Sequence, residues 1–223
     1  MAYEKEQSLL ILLGALISFL GTNFDQTLGV IYLSMILVYY IAVDDNPSIH
    51  ITLFNSKPNY IMAIAWGLGA YIIFYFGATT IINTIFPQAL ISNGLQSINL
   101  LFIQAALTSS ETVKLVAFGI LIPIIESMLF FGALPQVYAK MINVSFSSNS
   151  FSVGYLIVVL FAAGVFTLFH LTAKGITNQS ALMVSFIFGI VSMLLVKIRG
   201  QTSDAVALHM INNIHAILYT STG

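Results

Sequence analysis

Glu126 is an acid in an apolar setting. It sits in the run Gly119-Ile-Leu-Ile-Pro-Ile-Ile-Glu126-Ser-Met-Leu-Phe-Phe-Gly132. An ionisable side chain at the centre of a membrane helix costs about 2.5–3.5 kcal/mol on insertion scales. No Lys or Arg lies at comparable depth, so the acid needs polar partners from other segments. Three candidates stand in two separate apolar runs downstream. His170 closes Phe166-Thr-Leu-Phe-His170, and His209 opens His209-Met-Ile-Asn-Asn213. Asn213 follows His209 by four residues, which places the two about 40° apart on one helix face. His215, six residues after His209, points elsewhere, and it and His50 are read as bystanders.

A carboxylate with two imidazoles supports two chemistries. In one, Glu126 is the general base that deprotonates a water attacking a carbonyl. His209 and Asn213 then stabilise the oxyanion, while His170 holds the water or protonates the leaving amine. In the other, His170, His209 and Glu126 hold a divalent metal such as zinc, which acidifies its bound water. The residues alone leave this choice, and with it the cofactor, open. With no cysteine in the chain there is no thiolate nucleophile or thiolate metal site. No Ser or Thr stands in a nucleophile motif, and no second deep carboxylate is available for a paired-acid mechanism.

The elements that must position these groups are set by composition. Of 223 residues, 58% are apolar and 7% charged, against about 25% charged in globular chains. A water-facing surface cannot be built from that. A net charge of -1 leaves no basic face for nucleic acid. A span needs about 20 apolar residues to cross roughly 30 Å of hydrocarbon. Seven segments qualify as spans: 8–22, 26–43, 60–82, 113–139, 153–173, 179–197 and 203–219. The expectation is an all-α, polytopic transmembrane bundle in which 1–223 form one membrane domain. Residues 1–112 supply N-terminal spans and an interfacial segment, and 113–219 a core carrying the polar site.

Smaller features fit that plan. The stretch Ile98–Leu107 is too short to cross, and Thr108 with Glu111 resembles a capping box ahead of the fourth span. Gly14 with Gly21, and Gly67 with Gly69, are read as close-packing residues. Pro123 removes a backbone donor and frees the Gly119 carbonyl one turn before Glu126, and Gly132 with Pro135 loosens the end of that span. Lys5, Lys57, Lys140, Lys197 and Arg199 fall on the N-terminal side and Lys114 with Lys174 on the other. The positive-inside rule then expects a cytoplasmic N-terminus, with the protein in the cell membrane. Membrane lipids are its surroundings. One difficulty is depth. Counted from the face where the fourth span ends, Glu126, His170 and His209 differ by up to about 16 Å. Either a boundary is misplaced, with the start of span five or span seven expected, or one helix is broken or tilted so that the groups converge.

Three motifs in order, Pro123-Ile-Ile-Glu126-Ser127-Met-Leu-Phe130-Phe131-Gly132, Phe166 to His170 and His209 to Asn213, resemble the CPBP intramembrane proteases, the Abi or type II CAAX prenyl endopeptidase family. That family's pattern is Glu-Glu-x-x-x-Arg, then Phe-x-x-x-His, then His-x-x-x-Asn. The resemblance covers about residues 113–217. It implies a membrane peptidase with Glu126, His170, His209 and Asn213 as site residues, acting on a peptide or a lipidated protein. In prenylated-protein processing such cleavage removes the last three residues after a lipidated cysteine. Many bacterial and archaeal members are tied instead to peptide maturation or bacteriocin immunity. This chain has Ser127 at the family's second glutamate and Phe131 at its arginine. Those departures keep a second reading in play, a degenerate member that binds a peptide without cleaving it. A third, a small proton-relay transporter, finds no internal pseudo-symmetry to support it.

Overall fold

The computed structural model of the protein describes residues 60–86, 115–144, 152–170 and 179–221. Their regular structure is helical, with no strand among the described residues. Helix α1 is Tyr60–Ile85. One continuous helical run then carries a π segment Ala117–Leu121, α2 Ile122–Ser127, a second π segment Met128–Ala133, and α3 Leu134–Met141. Helix α4 is Val153–Phe169, α5 Gln179–Arg199 and α6 Thr202–Ser221. The expected spans 8–22 and 26–43 lie outside the described residues, as do Ile98–Leu107 and the Thr108–Glu111 cap. Among the described residues three helical segments, Ile61–Ile85, Gly119–Met141 and Gln179–Arg199, are long and apolar enough to cross a membrane. Helix α4 is apolar but only 17 residues long. Helix α6 has 20 residues, and Asp204, His209, Asn212, Asn213 and His215 interrupt its apolar character. The chain is an integral membrane protein.

Helix α1 shows what its solvent is. Ala63, Ala70, Phe74, Ala78 and Ile82 form a buried stripe at helical spacing. The other faces are apolar as well, with Ile61, Ile73 and Phe76 at 65–80% exposure. A helix apolar on its exposed side faces lipid rather than water.

Lipid does not drive apolar helices together, so close packing of small residues does. A Cβ placed on Gly67 would lie 2.8 Å from the Ala207 Cβ and 2.8 Å from the Leu208 backbone nitrogen, so α1 and α6 touch there through bare backbone. A Cβ on Gly189 would lie 2.7 Å from the Ala163 Cα, which makes the same kind of contact between α5 and α4. Gly69 differs from the expectation: nothing lies within 4 Å of its Cβ position, so it packs against nothing described. Tyr155 of α4 ties the α4–α5 pair by donating its hydroxyl proton to the Met193 carbonyl at 2.9 Å.

The run from 117 to 141 explains itself through its prolines. Pro123 and Pro135 lack the N–H that would bond the carbonyls of Gly119 and Phe131. A π turn offers such a carbonyl the next N–H along, and a π segment precedes each proline. The Leu134 N–H bonds the Leu129 carbonyl, five residues back. Gly132 and Pro135 therefore widen the helix without ending it.

Helix α5 stops at Gly200, whose φ of +67° is the left-handed conformation that closes many helices. The chain then re-enters at Thr202, which is buried and packs where a Gly132 Cβ would meet its Cγ2 at 3.3 Å. This contact resolves the depth difficulty. Thr202 begins α6 level with Gly132, nine residues or about 13 Å in from Met141. Measured from the Met141 face, His209 then lies at about 24 Å, Glu126 at about 22 Å and His170 at about 25 Å. The start of span seven stands within one residue of the expected 203; what differs is its depth, because that helix starts inside the bundle rather than at the membrane face.

Candidate active site

Glu126 stands near the end of α2, between the two π segments, and is 5% exposed. His170 is the residue on which α4 ends, and its backbone and ring both serve the helix terminus. Its N–H bonds the Phe166 and Thr167 carbonyls, and its Nδ1 donates to the Phe166 carbonyl at 2.8 Å. The last carbonyls of a helix lack intrahelical partners, so a histidine four residues after Phe166 caps that end with its own side chain. The Phe166 ring lies 4.3 Å from the His170 ring, centroid to centroid, which holds the imidazole from its face. His209 sits on α6, 4% exposed, with the rings of Phe188 and Phe166 at 5.0 and 5.8 Å.

These three side chains meet. The Nε2 of His170 lies 3.8 Å from Oε2 of Glu126, and the Nε2 of His209 lies 3.6 Å from the same oxygen. Neither distance is yet a hydrogen bond, and catalytic contacts commonly tighten only with substrate in place. All three groups are nearly sealed from bulk solvent, so their polar atoms depend on one another. His215 lies apart: its Nδ1 pairs with the Tyr71 hydroxyl at 2.7 Å, between α6 and α1.

The asparagines are arranged less simply than the spacing suggests. Asn213 is half-buried, and its Oδ1 accepts a bond of 3.3 Å from the Asn212 Nδ2. Asn212 is the buried member, at 5% exposure, and its own Oδ1 finds no hydrogen-bond partner among the described residues. Both positions, three and four residues after His209, fall on one helix face, so spacing alone did not distinguish them.

Sequence reasoning treated Ser127 only as a missing acid, yet it is fully buried with its Oγ 3.1 Å from the His209 Nδ1. A small hydroxyl inside a helix gives no signal in sequence, and only its adjacency to Glu126 pointed to it. Phe131 is likewise fully buried, with its ring 5.2 Å from Phe166 and 6.1 Å from Phe188. It extends the aromatic wall behind the histidines.

The zinc alternative needs three ligands converging on a common point. Among the described residues no three His, Cys, Asp or Glu side chains are arranged to hold a metal ion. Both imidazole nitrogens crowd a single carboxylate oxygen instead.

A sealed glutamate flanked by two imidazoles, inside a bundle of lipid-facing helices, places the protein in the class of integral membrane proteins with a buried acid–imidazole centre. Comparison with known families sharpens that class. Residues 108–215 match the family model described as type II CAAX prenyl endopeptidase Rce1-like. That stretch is similar to a Rce1-like domain of the CPBP family, and the match spans Glu126, His170, His209 and Asn213. That likeness points to a peptidase. No curated protein and no solved structure matches the chain.

Proposed function

We propose that the protein is an intramembrane endopeptidase in which Glu126 activates water against a peptide carbonyl of a peptide or lipidated-protein substrate. The approach of both imidazole Nε2 atoms to Oε2 of Glu126, at 3.8 and 3.6 Å, is the observation that carries this reading. His170 donates from Nδ1 to a backbone carbonyl, so its neutral ring offers a lone pair at Nε2. A water seated beside Glu126 gives one hydrogen to the carboxylate and the other to that lone pair. Its oxygen then attacks the carbonyl carbon as Glu126 takes the proton. The carbonyl oxygen becomes an oxyanion, stabilised by His209 with help from the Asn212–Asn213 pair. As the C–N bond breaks, the proton passes from Glu126 to the leaving amine, which yields a carboxylic acid and an amine and restores the carboxylate.

The test is cleavage of a fluorogenic lipidated peptide by the purified chain in detergent. Glu126→Ala and His170→Ala each abolish cleavage on this mechanism, and activity surviving both changes removes it. Ser127 and Phe131 support a second reading, a family member that binds such peptides without cutting them. Tight binding of the same peptide with no turnover by the intact chain selects it.

A further inference from the structure

A neutral imidazole carries one N–H and one lone pair, and whatever bonds the first nitrogen decides what the second presents. For His170 the partner is the Phe166 carbonyl, which can only accept, so Nε2 shows a lone pair towards Glu126. For His209 the partner is the Ser127 hydroxyl, 3.1 Å from Nδ1, which can give or accept. Consecutive residues thus grip opposite edges of one ring: Ser127 lies at Nδ1 and Glu126 at Nε2.

The shared carboxylate oxygen decides the direction. If Ser127 accepted from a neutral His209, Nε2 would face Oε2 with a second lone pair, alongside the one from His170. Two lone pairs against one carboxylate oxygen repel strongly where water is excluded. If Ser127 donates, Nε2 carries a hydrogen and the contact becomes attractive. Ser127 has no exposed surface, so bulk water does not compete for its proton. We infer that Ser127 is a positioning residue whose hydroxyl donates to Nδ1 of His209 and holds that ring as the Nε2–H tautomer. The two site histidines are then opposite tautomers, one an acceptor for the water and the other a donor for the developing oxyanion. The catalytic consequence rests on the hydrolase reading above, whereas the tautomer does not.

Ring nitrogen shifts of the full chain, labelled with 15N-histidine and held in detergent at neutral pH, test this directly. The His209 signal is identified by its loss in His209→Gln. The expected spectrum shows a neutral His209 ring protonated at Nε2, and in Ser127→Ala the ring loses that single form. Ser127→Thr, which keeps the hydroxyl, retains it. An Nδ1–H ring or an imidazolium in the unaltered chain overturns the inference, and so does a spectrum that Ser127→Ala leaves unchanged. In the cleavage assay Ser127→Ala lowers kcat about tenfold with KM unchanged. If no variant cleaves anything, the hydrolase reading fails while the spectrum still decides the tautomer.

Discussion

Glu126→Asp keeps the charge and withdraws it. Removing one methylene retracts the carboxylate by about 1.5 Å along the side chain. The contacts to His170 and His209, now 3.8 and 3.6 Å, would open to about 5 Å, taking the base out of reach of any water that His170 also holds. A misplacement of about 1 Å costs on the order of 10²-fold in rate, so kcat should fall by at least about 10²-fold. Glu126→Gln makes the complementary change, keeping length and volume while removing the base. General-base catalysis contributes about 10²–10⁴-fold, and Gln should lose that much. Both variants should fold, because neither adds volume to the 5%-exposed site. Thermal melts in detergent, run beside kcat and KM on a lipidated fluorogenic peptide, separate lost chemistry from lost structure. An Asp variant as fast as the parent, or a Gln variant within tenfold of it, refutes the assignment of Glu126 as a geometrically placed base.

Other expectations rest on separate contacts. Gly189→Leu forces apart the α4–α5 crossing, where a Cβ already meets Ala163 at 2.7 Å, and should cost about 1–3 kcal/mol of stability, read as a lower melting temperature. His215→Ala breaks the bond to Tyr71 but not the site, so cleavage should persist at the parent rate; a loss beyond tenfold would place His215 in the machinery. Cleavage should withstand a zinc chelator, because no three-ligand set is assembled among the described residues; inhibition reversed by zinc would show a metal at work.

Much of the site was legible because polarity is conspicuous in an apolar sequence. Glu126, His170 and His209 each stand out against their runs, and burial has to bring such groups together or leave them unsatisfied. Helix positions were legible for the same reason, since apolar length is what a span requires. The depth at which α6 starts was not, because Thr202 enters the bundle through its contact with Gly132, a tertiary fact. Pro123 announced a gap in the hydrogen-bond ladder, but not that π turns would precede both prolines. Ser127 was read as a loss because residue type says nothing about which ring a buried hydroxyl will meet.

The two departures from the family pattern make more sense together than apart. A glutamate at 127 and an arginine at 131 would stand four residues apart, acid first, the favourable order for a helical ion pair. Ser127 and Phe131 are both fully buried, so such a pair would be cut off from water. Replacing a buried ion pair by well-packed neutral residues is often neutral or stabilising, whereas removing one partner costs about 3–5 kcal/mol. This chain carries neither charge, and Phe131 fills its place against Phe166 and Phe188. Restoring one charge should therefore harm more than restoring two. Phe131→Arg alone should destabilise by about 3–5 kcal/mol, and Ser127→Glu alone, a second acid beside Glu126, by a similar amount. The double variant should be more stable than the sum of the single changes predicts, by a coupling of about 0.5–3 kcal/mol. Denaturant or thermal unfolding in detergent measures all four corners of the cycle. Strict additivity would mean that 127 and 131 do not face each other, and that the two departures arose independently.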